Sequence, residues 1–214
     1  MELTEAQKHQ LFSQLENYFA ASCALARRYF AEVAPQMAQA CWAMAKRFYR
    51  GGKLIAFGIG ANATDASHVA VEFVHPVLVG KRALPAITLT ADSPSLLGLR
   101  HRYGTAQPFA VLLRSLATPY DIAMGISLTG DEPEVVEALL EAQRLRLLTI
   151  GLTGEGGGQI AKIGLDFLFA VPSHDPRLVQ EMQETLYHIL WELVHVFFEQ
   201  RGLLEGDADD PATR

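Results

Sequence analysis

The hydrophobic positions of the first fifty residues recur with the period of an α-helix. One series occupies every fourth position: Leu11, Leu15, Phe19 and Cys23. A second series with helical spacing lies between residues 37 and 48, and Gly51-Gly52 follows it as a helix stop. Since proline disrupts a helix interior, the pattern predicts two helices that break near Ala34-Pro35, an N-terminal helical hairpin.

Beyond residue 52 short apolar runs alternate with segments of helical composition. Continuous apolar runs separated by helices are typical of a parallel sheet that is covered on both faces. The predicted class is therefore α/β, a doubly wound five-stranded parallel sheet flanked by helices, with ligands expected beyond the carboxyl ends of the strands. The predicted strands are Lys53–Phe57, Ala86–Thr90, Ile122–Ile126, Leu147–Leu152 and Phe167–Val171.

The last long helix, from about Arg177 to Gln200, is apolar on nearly every side. One sheet cannot cover all sides of a helix, and the simplest further cover is another copy of the chain. We therefore expect a homo-oligomer, with this helix and the N-terminal hairpin in the interface.

Composition and charge narrow the class of protein. Half of the 214 residues are apolar, which suits a single domain over residues 1–204, followed by an acidic tail, 205–214, that is expected to be disordered. The formal charge is −6 without a basic cluster, which argues against a nucleic-acid partner. Apolar stretches are too short for a bilayer and the N-terminus lacks signal-peptide features, so we expect a cytoplasmic protein without membrane contact.

Two strand-to-helix turns have the composition of anion sites. The first, Gly58 to Asn62, has neither a complete dinucleotide fingerprint nor a P-loop lysine, and steric needs alone could explain its glycines. The second offers the hydroxyls of Ser127 and Thr129 before a helix that begins near Pro133. Helix capping by Thr129 or Asp131 is the alternative function of that turn.

Polar side chains form one strip on each of two otherwise apolar helices. The first strip is Asp65, His68 and Glu72, and the second is Gln180, Glu184 and His188. Their spacing of three or four residues places each strip on one helix face. The alternative is a solvent-exposed polar face. However, the apolar neighbours leave little of the first helix exposed to solvent, and a carboxylate in such surroundings can have a raised pKa. Together the strips could serve proton transfer or bind a divalent metal.

The ordered motifs between about Ala38 and Leu193 resemble the SIS (sugar isomerase) domain family, and within it the phosphoheptose isomerases. These enzymes convert sedoheptulose 7-phosphate into a heptose 7-phosphate. The resemblance rests on the glycine turn and on five further motifs: Asp65-Ala66 with His68, Asp92-Ser93, Gly125-Ile126-Ser127, Gly151-Leu152-Thr153-Gly154, and Gln180-Glu181 with His188.

This resemblance implies an aldose–ketose isomerase of a sugar phosphate and a homotetrameric assembly. Glu72 would move a proton between C1 and C2 through an enediol, and His188 would handle the oxygen-bound proton. Gln180 and His68 would orient the sugar or a metal. The implied metal is zinc, with four ligands: His68, Glu72, Gln180 and His188.

The resemblance also implies a substrate site in which several residues depart from the family pattern. Asn62 stands where serine is usual, and Asp131 and Glu132 stand where asparagine and serine are usual. A carboxylate ~4 Å from a phosphate costs about 4 kcal/mol at the effective dielectric near a protein surface. The expected substrate-binding residues are Gly60, Ala61, Asn62, Asp92, Ser127, Thr129, Glu132 and Gln180.

Three functional hypotheses follow from this combination. The first is a sugar-phosphate isomerase with an altered phosphate loop. The second is a non-catalytic SIS module that binds a ligand or another protein. In the third, Asp131 and Glu132 only cap a helix and point to solvent, so that Ser127, Thr129 and backbone amides bind phosphate. The basic segment Arg100-His101-Arg102 either restores positive charge near the ligand or forms a solvated turn.

Overall fold

A computed structural model describes residues 3–200 together with Gly202 and Leu204. The described chain divides into two compact units at the bond between Ala34 and Pro35. The first unit is helical, and the second contains the sheet and the candidate site. The expected acidic tail, 205–214, lies outside the described residues.

Six α-helices and five β-strands account for most of the described chain. None of these helices is long and apolar enough to cross a membrane. The helices are α1 (Glu5–Tyr49), α2 (Ala61–Val74), α3 (Ser93–Tyr103), α4 (Pro108–Leu116), α5 (Pro133–Arg144) and α6 (Pro176–Glu199), and the strands are β1 (Leu54–Gly58), β2 (Ala86–Thr88), β3 (Ile122–Ile126), β4 (Leu148–Thr153) and β5 (Phe167–Ala170).

All five strands pair in parallel in the order β2-β1-β3-β4-β5. Every residue of β1, β3 and β4 is buried, because helices cover both faces of the central sheet. The predicted doubly wound α/β fold is confirmed, with strand bounds that differ from the predicted ones by at most two residues.

The prediction of an N-terminal helical hairpin is wrong, since α1 continues through Pro35 as one helix. Proline removes one backbone hydrogen bond and crowds the carbonyl four residues earlier. The residues around Pro35 are strong helix formers, among them Ala31, Ala34 and Ala38, and no turn residue follows the proline. Helix formation is cooperative, so the local defect does not end the helix.

The apolar surface of α6 packs against α2 and β4, and part of it against the C-terminal part of α1. The Cys41 thiol donates to the Leu190 carbonyl over 3.8 Å, and the rings of Trp42 and Phe197 lie 5.2 Å apart. No large apolar side chain in α6 is fully exposed. We expected a second copy of the chain to cover α6, but the packing within one chain does not require one.

The strand order places a crevice between β1 and β3. From β1 the chain turns outward through α2 to β2, and from β3 it turns the opposite way through α5 to β4. At such a switch point the two following turns diverge and leave a space beyond the carboxyl ends of the strands. These turns are residues 59–61 and 127–132, the two segments predicted as anion sites.

Candidate functional site

The two polar strips meet within one chain, where α2 packs against α6. His188 Nε2 lies 3.1 Å from Glu72 Oε1, and His68 Nε2 lies 3.5 Å from the same oxygen. Glu72 is buried, whereas the side chains of His68 and His188 are 44% and 40% exposed. The cluster thus has a buried carboxylate at its base and two accessible imidazoles at its mouth.

Packing between α2 and α6 fixes this cluster. The indole Nε1 of Trp191 donates to the Glu72 carbonyl oxygen over 2.9 Å, which ties the two helices together beside the carboxylate. The Tyr187 hydroxyl lies 3.1 Å from His68 Nδ1. Each ring nitrogen of His68 therefore has a defined neighbour, Tyr187 on one side and Glu72 on the other.

Burial and neighbouring charges set the protonation of Glu72. Loss of hydration raises the pKa of the Glu72 carboxyl, and the nearby His188 and His68 oppose that rise. The carboxylate of Glu184 adds to it; this side chain lies 3.7 Å from His68 Nδ1. A carboxyl group whose pKa is raised from its usual range holds and releases a proton closer to neutral pH, as a general acid or base must.

His68, Glu72 and His188 could also hold a metal ion. Each offers one ligand atom, and these three atoms all lie within 4.8 Å of one another. Among the described residues, neither the buried Glu72 Oε2 nor His188 Nε2 has a hydrogen-bond partner, although His188 Nε2 lies so close to Glu72 Oε1. Two unpartnered buried atoms beside each other fit a shared third group, such as a metal or a substrate hydroxyl.

Gln180 belongs to a neighbouring hydrogen-bond network. Its Nε2 donates to both carboxylate oxygens of Asp65, at 3.2 and 3.1 Å. Burial raises the pKa of Asp65, and the amides of Gln180 and Asn62 oppose that rise. The Gln180 amide is thereby oriented with its nitrogen towards Asp65, so that its oxygen is the atom left for a ligand.

Sequence reasoning missed two buried residues of α6, Gln183 and Tyr187. Gln183 Nε2 donates to the Ser127 carbonyl over 2.7 Å, and its Oε1 accepts from Asn62 over 3.2 Å. It therefore links the turn after β1 to the turn after β3. Extension of the α6 strip by steps of three and four residues from Gln180 reaches both positions, but nothing in the sequence shows which polar groups they contact.

The turn after β3 is occupied by the chain's own carboxylate. Ser127 Oγ donates to Glu132 Oε2, and Thr129 Oγ1 donates to Glu132 Oε1 over 3.2 Å. Glu132 stands at the N-cap position of α5, yet its side chain makes no capping hydrogen bond. The hypothesis in which Glu132 points to solvent as a cap is therefore wrong, because the two hydroxyls draw the carboxylate back into the turn.

Asp131 also has a structural partner, in the turn after β4. Its Oδ1 accepts from the Gln159 backbone amide over 3.0 Å. The two turns approach so closely that a side chain at Gly130 would collide with the Gly157 carbonyl. Asp131 is thus directed to the neighbouring turn.

The remaining predicted site residues lie around the crevice without joining the cluster. Gly60 and Ala61 are exposed at the start of α2, where Gly60 has φ 59° and ψ −128°. Asp92 caps α3 by accepting from Ser95, and no other hydrogen bond of its side chain occurs within the described chain. Arg100 lies 3.7 Å from Glu134, so this one side chain of the basic segment is directed at a carboxylate in the first turn of α5.

Comparison with known proteins places this arrangement in context. The sequence model of the SIS domain matches residues 17–154. A phosphoheptose isomerase of Nitratidesulfovibrio vulgaris is 37% identical over 191 residues, which cover 87% of this chain and 91% of that enzyme.

Two solved structures show the same architecture. The phosphoheptose isomerase from Neisseria gonorrhoeae superposes with a TM-score of 0.80 at 29% identity, and the one from Francisella tularensis with 0.82 at 28%. In each case the match covers 86% of this chain and 98% of the other.

Proposed function

Because the chain belongs to the SIS domain family, we propose that it is an aldose–ketose isomerase acting on a sugar phosphate. Its similarity to phosphoheptose isomerases along most of its length supports this activity. The observation that carries the proposal is the approach of His188, on α6, to within 3.1 Å of Glu72 on α2, a buried carboxyl with a raised pKa.

The reaction needs one group that moves a carbon-bound proton and one that transfers protons to and from the sugar oxygens. Glu72 takes the proton from C1 of the ketose, and the electron pair left on carbon forms the enediol. His188, at the mouth of the cluster, donates a proton to the C2 carbonyl oxygen and removes the proton from the O1 hydroxyl. Return of the carbon-bound proton to C2 by Glu72 completes the aldose, with no net change in protons.

We propose zinc as the metal of this site. The two imidazoles and one carboxylate form a ligand set typical of catalytic zinc, and the unpartnered Glu72 Oε2 and His188 Nε2 fit such a group. Gln180 would supply the fourth ligand through its amide oxygen, since its nitrogen is held by Asp65. When bound, the metal would polarise the sugar oxygens in place of proton transfer by His188, whose Nε2 would then be a ligand, and Glu72 would keep one carboxylate oxygen for the carbon-bound proton.

The non-catalytic alternative explains the cluster less well. A carboxylate that is buried with an unpartnered oxygen costs folding free energy, and a scaffold would gain by replacing it. Binding of a partner protein requires neither the Glu72–His188 contact nor its accessible mouth. We therefore favour the enzyme.

The test is an interconversion assay with sedoheptulose 7-phosphate and with other ketose and aldose phosphates, in the presence and absence of zinc. We expect turnover by the unaltered chain and a fall in kcat of about 100-fold or more in Glu72→Gln. Glu192→Gln, which removes a carboxylate elsewhere on α6, is the matched control and should keep kcat. Absence of turnover on the whole panel would refute the proposal.

The proposed unit of function is one SIS domain over residues 1–204, assembled as a cytoplasmic homotetramer. Support for assembly comes from large apolar side chains that are exposed in each unit. In the first unit they include Phe12, Leu15 and Phe19; in the second, Val71, Val74, Val77, Leu78 and Val79. Exposed apolar groups of this density are typical of surfaces that another chain covers.

A further inference from the structure

In the turn formed by residues 127–132, backbone amides orient two hydroxyl groups as donors to one anion. The Gly130 amide donates to Ser127 Oγ over 2.6 Å, and the Asp131 amide donates to Thr129 Oγ1 over 3.1 Å. Each hydroxyl oxygen therefore accepts from the backbone, so each hydroxyl hydrogen is directed away from it. Both hydrogens converge on one place, as they would on the oxygens of a bound anion.

In this structure that place is taken by the Glu132 carboxylate. One of its oxygens accepts from Ser127, which is almost fully buried, and the other accepts from Thr129. The carboxylate also stands at the positive end of the α5 macrodipole. The hydroxyls, the helix end and the anion thus form a complete site within the chain itself.

The turn is connected to the proposed catalytic cluster. Gln183 donates to the Ser127 carbonyl and accepts from Asn62, and Asn62 in turn donates to Asp65 over 3.1 Å. Asp65 holds Gln180 on the strip that ends at His188. Side chains of α2 and α6 therefore connect this turn with the two helices that carry Glu72 and His188.

We propose that Glu132 is a specificity-determining residue, an intramolecular anion that competes with the substrate's phosphate for the hydroxyls of Ser127 and Thr129. This inference rests on the proposed isomerase function and deepens it. A phosphate dianion enters the turn only when the Glu132 side chain leaves, because two anions cannot share the same donors. The turn thereby binds a phosphate more weakly than the same turn would without the Glu132 carboxylate.

The neighbouring carboxylates do not have this role. Asp131 is held by the Gln159 amide of the adjacent turn, and Glu134 faces Arg100. Glu134 lies in the first turn of the same helix and carries the same charge as Glu132, but it makes no contact with the two hydroxyls. Glu134→Gln is therefore the matched control for a general change of charge at this helix end.

The experiment measures KM and kcat for sedoheptulose 7-phosphate and the dissociation constant of inorganic phosphate by calorimetry. Four proteins are compared: the unaltered chain, Glu132→Ser, Glu132→Gln and Glu134→Gln. In Glu132→Ser we expect KM and the phosphate dissociation constant to fall about tenfold or more, with kcat nearly unchanged. Glu132→Gln should gain less, because its amide still fills the turn, and Glu134→Gln should stay within about twofold of the unaltered chain.

The outcomes separate this inference from the proposed function. Equal KM and equal phosphate affinity in the unaltered chain and in Glu132→Ser, with turnover in both, would overturn the inference and leave the isomerase standing. Tighter phosphate binding by Glu132→Ser without turnover by any protein would refute the isomerase and keep the role of Glu132 in the turn. Melting curves identify a variant that does not fold; Glu132→Gln then decides, and no gain in its phosphate affinity would also overturn the inference.

Discussion

At the scale of single residues, the buried Glu72 carboxylate serves the proposed proton transfer and at the same time lowers the free energy of unfolding. Its pKa is raised mainly by burial, so the folded chain binds the carboxyl proton more tightly than the unfolded chain does. The folded state is therefore favoured at low pH, and this contribution is lost as the pH rises from the unfolded pKa through the folded one. At neutral pH the ionised group opposes folding.

We therefore predict that Glu72→Gln, for which we expect the fall in kcat given above, stabilises the metal-free protein at neutral pH. The amide keeps the shape of the side chain and carries no charge to be buried. With chelator present, the variant should melt above the unaltered chain at pH 7 to 8, by on the order of 2–4 °C for each kcal/mol gained. The difference should shrink as the pH falls towards about 4.3, the ordinary glutamate pKa. A variant that melts lower at every pH would contradict this balance.

Tyr187 is predicted to position His68 for the metal. Its hydroxyl contacts Nδ1, and such a partner fixes which imidazole nitrogen is free to bind a metal. Burial raises the pKa of Tyr187, so the hydroxyl stays protonated and neutral. In Tyr187→Phe we expect zinc affinity to fall by about 10- to 100-fold, while the free energy of unfolding of the metal-free protein falls by only about 1 kcal/mol.

A competition titration with a chromogenic chelator measures that affinity. Tyr49→Phe, a tyrosine at the end of α1 that is 48% exposed, provides the control and should bind zinc as the unaltered chain does. Unchanged affinity in Tyr187→Phe would show that the hydroxyl has no influence on His68.

The sequence alone predicted which residues form part of the site, but not the directions of their side chains. The helical spacing of His68 with Glu72, and of Glu184 with His188, is visible in the sequence, and the structure brings His68, Glu72 and His188 together. The direction of the Glu132 side chain is not visible, since it depends on hydroxyls three and five residues earlier in a turn. The role of Gln183 likewise depends on its hydrogen bond to the Ser127 carbonyl, 56 positions away in the sequence.

At the scale of elements, local patterns predicted the strands well and the first helix poorly. A buried parallel strand needs a continuous apolar run, so β1 and β3 are marked directly in the sequence. Pro35, in contrast, is a local signal for a helix end that the structure does not follow, because the helix formers on both sides outweigh it. A single breaker in a long helical segment is thus weaker evidence than the length of the segment.

The continuity of α1 leads to a stability prediction for Pro35→Ala. Alanine restores the missing hydrogen bond and is favoured over proline in a helix interior by about 3 kcal/mol, part of which is offset by the greater freedom of the unfolded chain. We expect the free energy of unfolding to rise by about 1–3 kcal/mol in urea denaturation. Gln39→Ala, at another exposed position of α1, should change it by only a few tenths. A loss of stability in Pro35→Ala would show that the packing of α1 requires the proline.

At the scale of the whole molecule, the surface near α2 is the feature that a single chain does not explain. Val71 and Val74 are 59% and 49% exposed on the same helix that carries Glu72, and Val77 and Val79 follow at 69% and 106%. The packing of α6 gives no further argument for assembly, because none of its large apolar side chains is exposed. The predicted oligomer therefore depends on these valines and on the exposed apolar residues of the first unit.

We predict that light scattering during gel filtration gives four times the subunit mass for the unaltered chain. The double variant Val74→Asp, Val77→Asp places two charges on the valine surface, and a buried charge without a partner is costly enough to dissociate an interface. We expect a smaller species with an intact far-ultraviolet spectrum. Leu116→Asp, an equally exposed leucine at the end of α4, should keep the mass of the unaltered chain. A monomeric unaltered chain at micromolar concentration would refute the tetramer, and a double variant of unchanged mass would place the interface away from these valines.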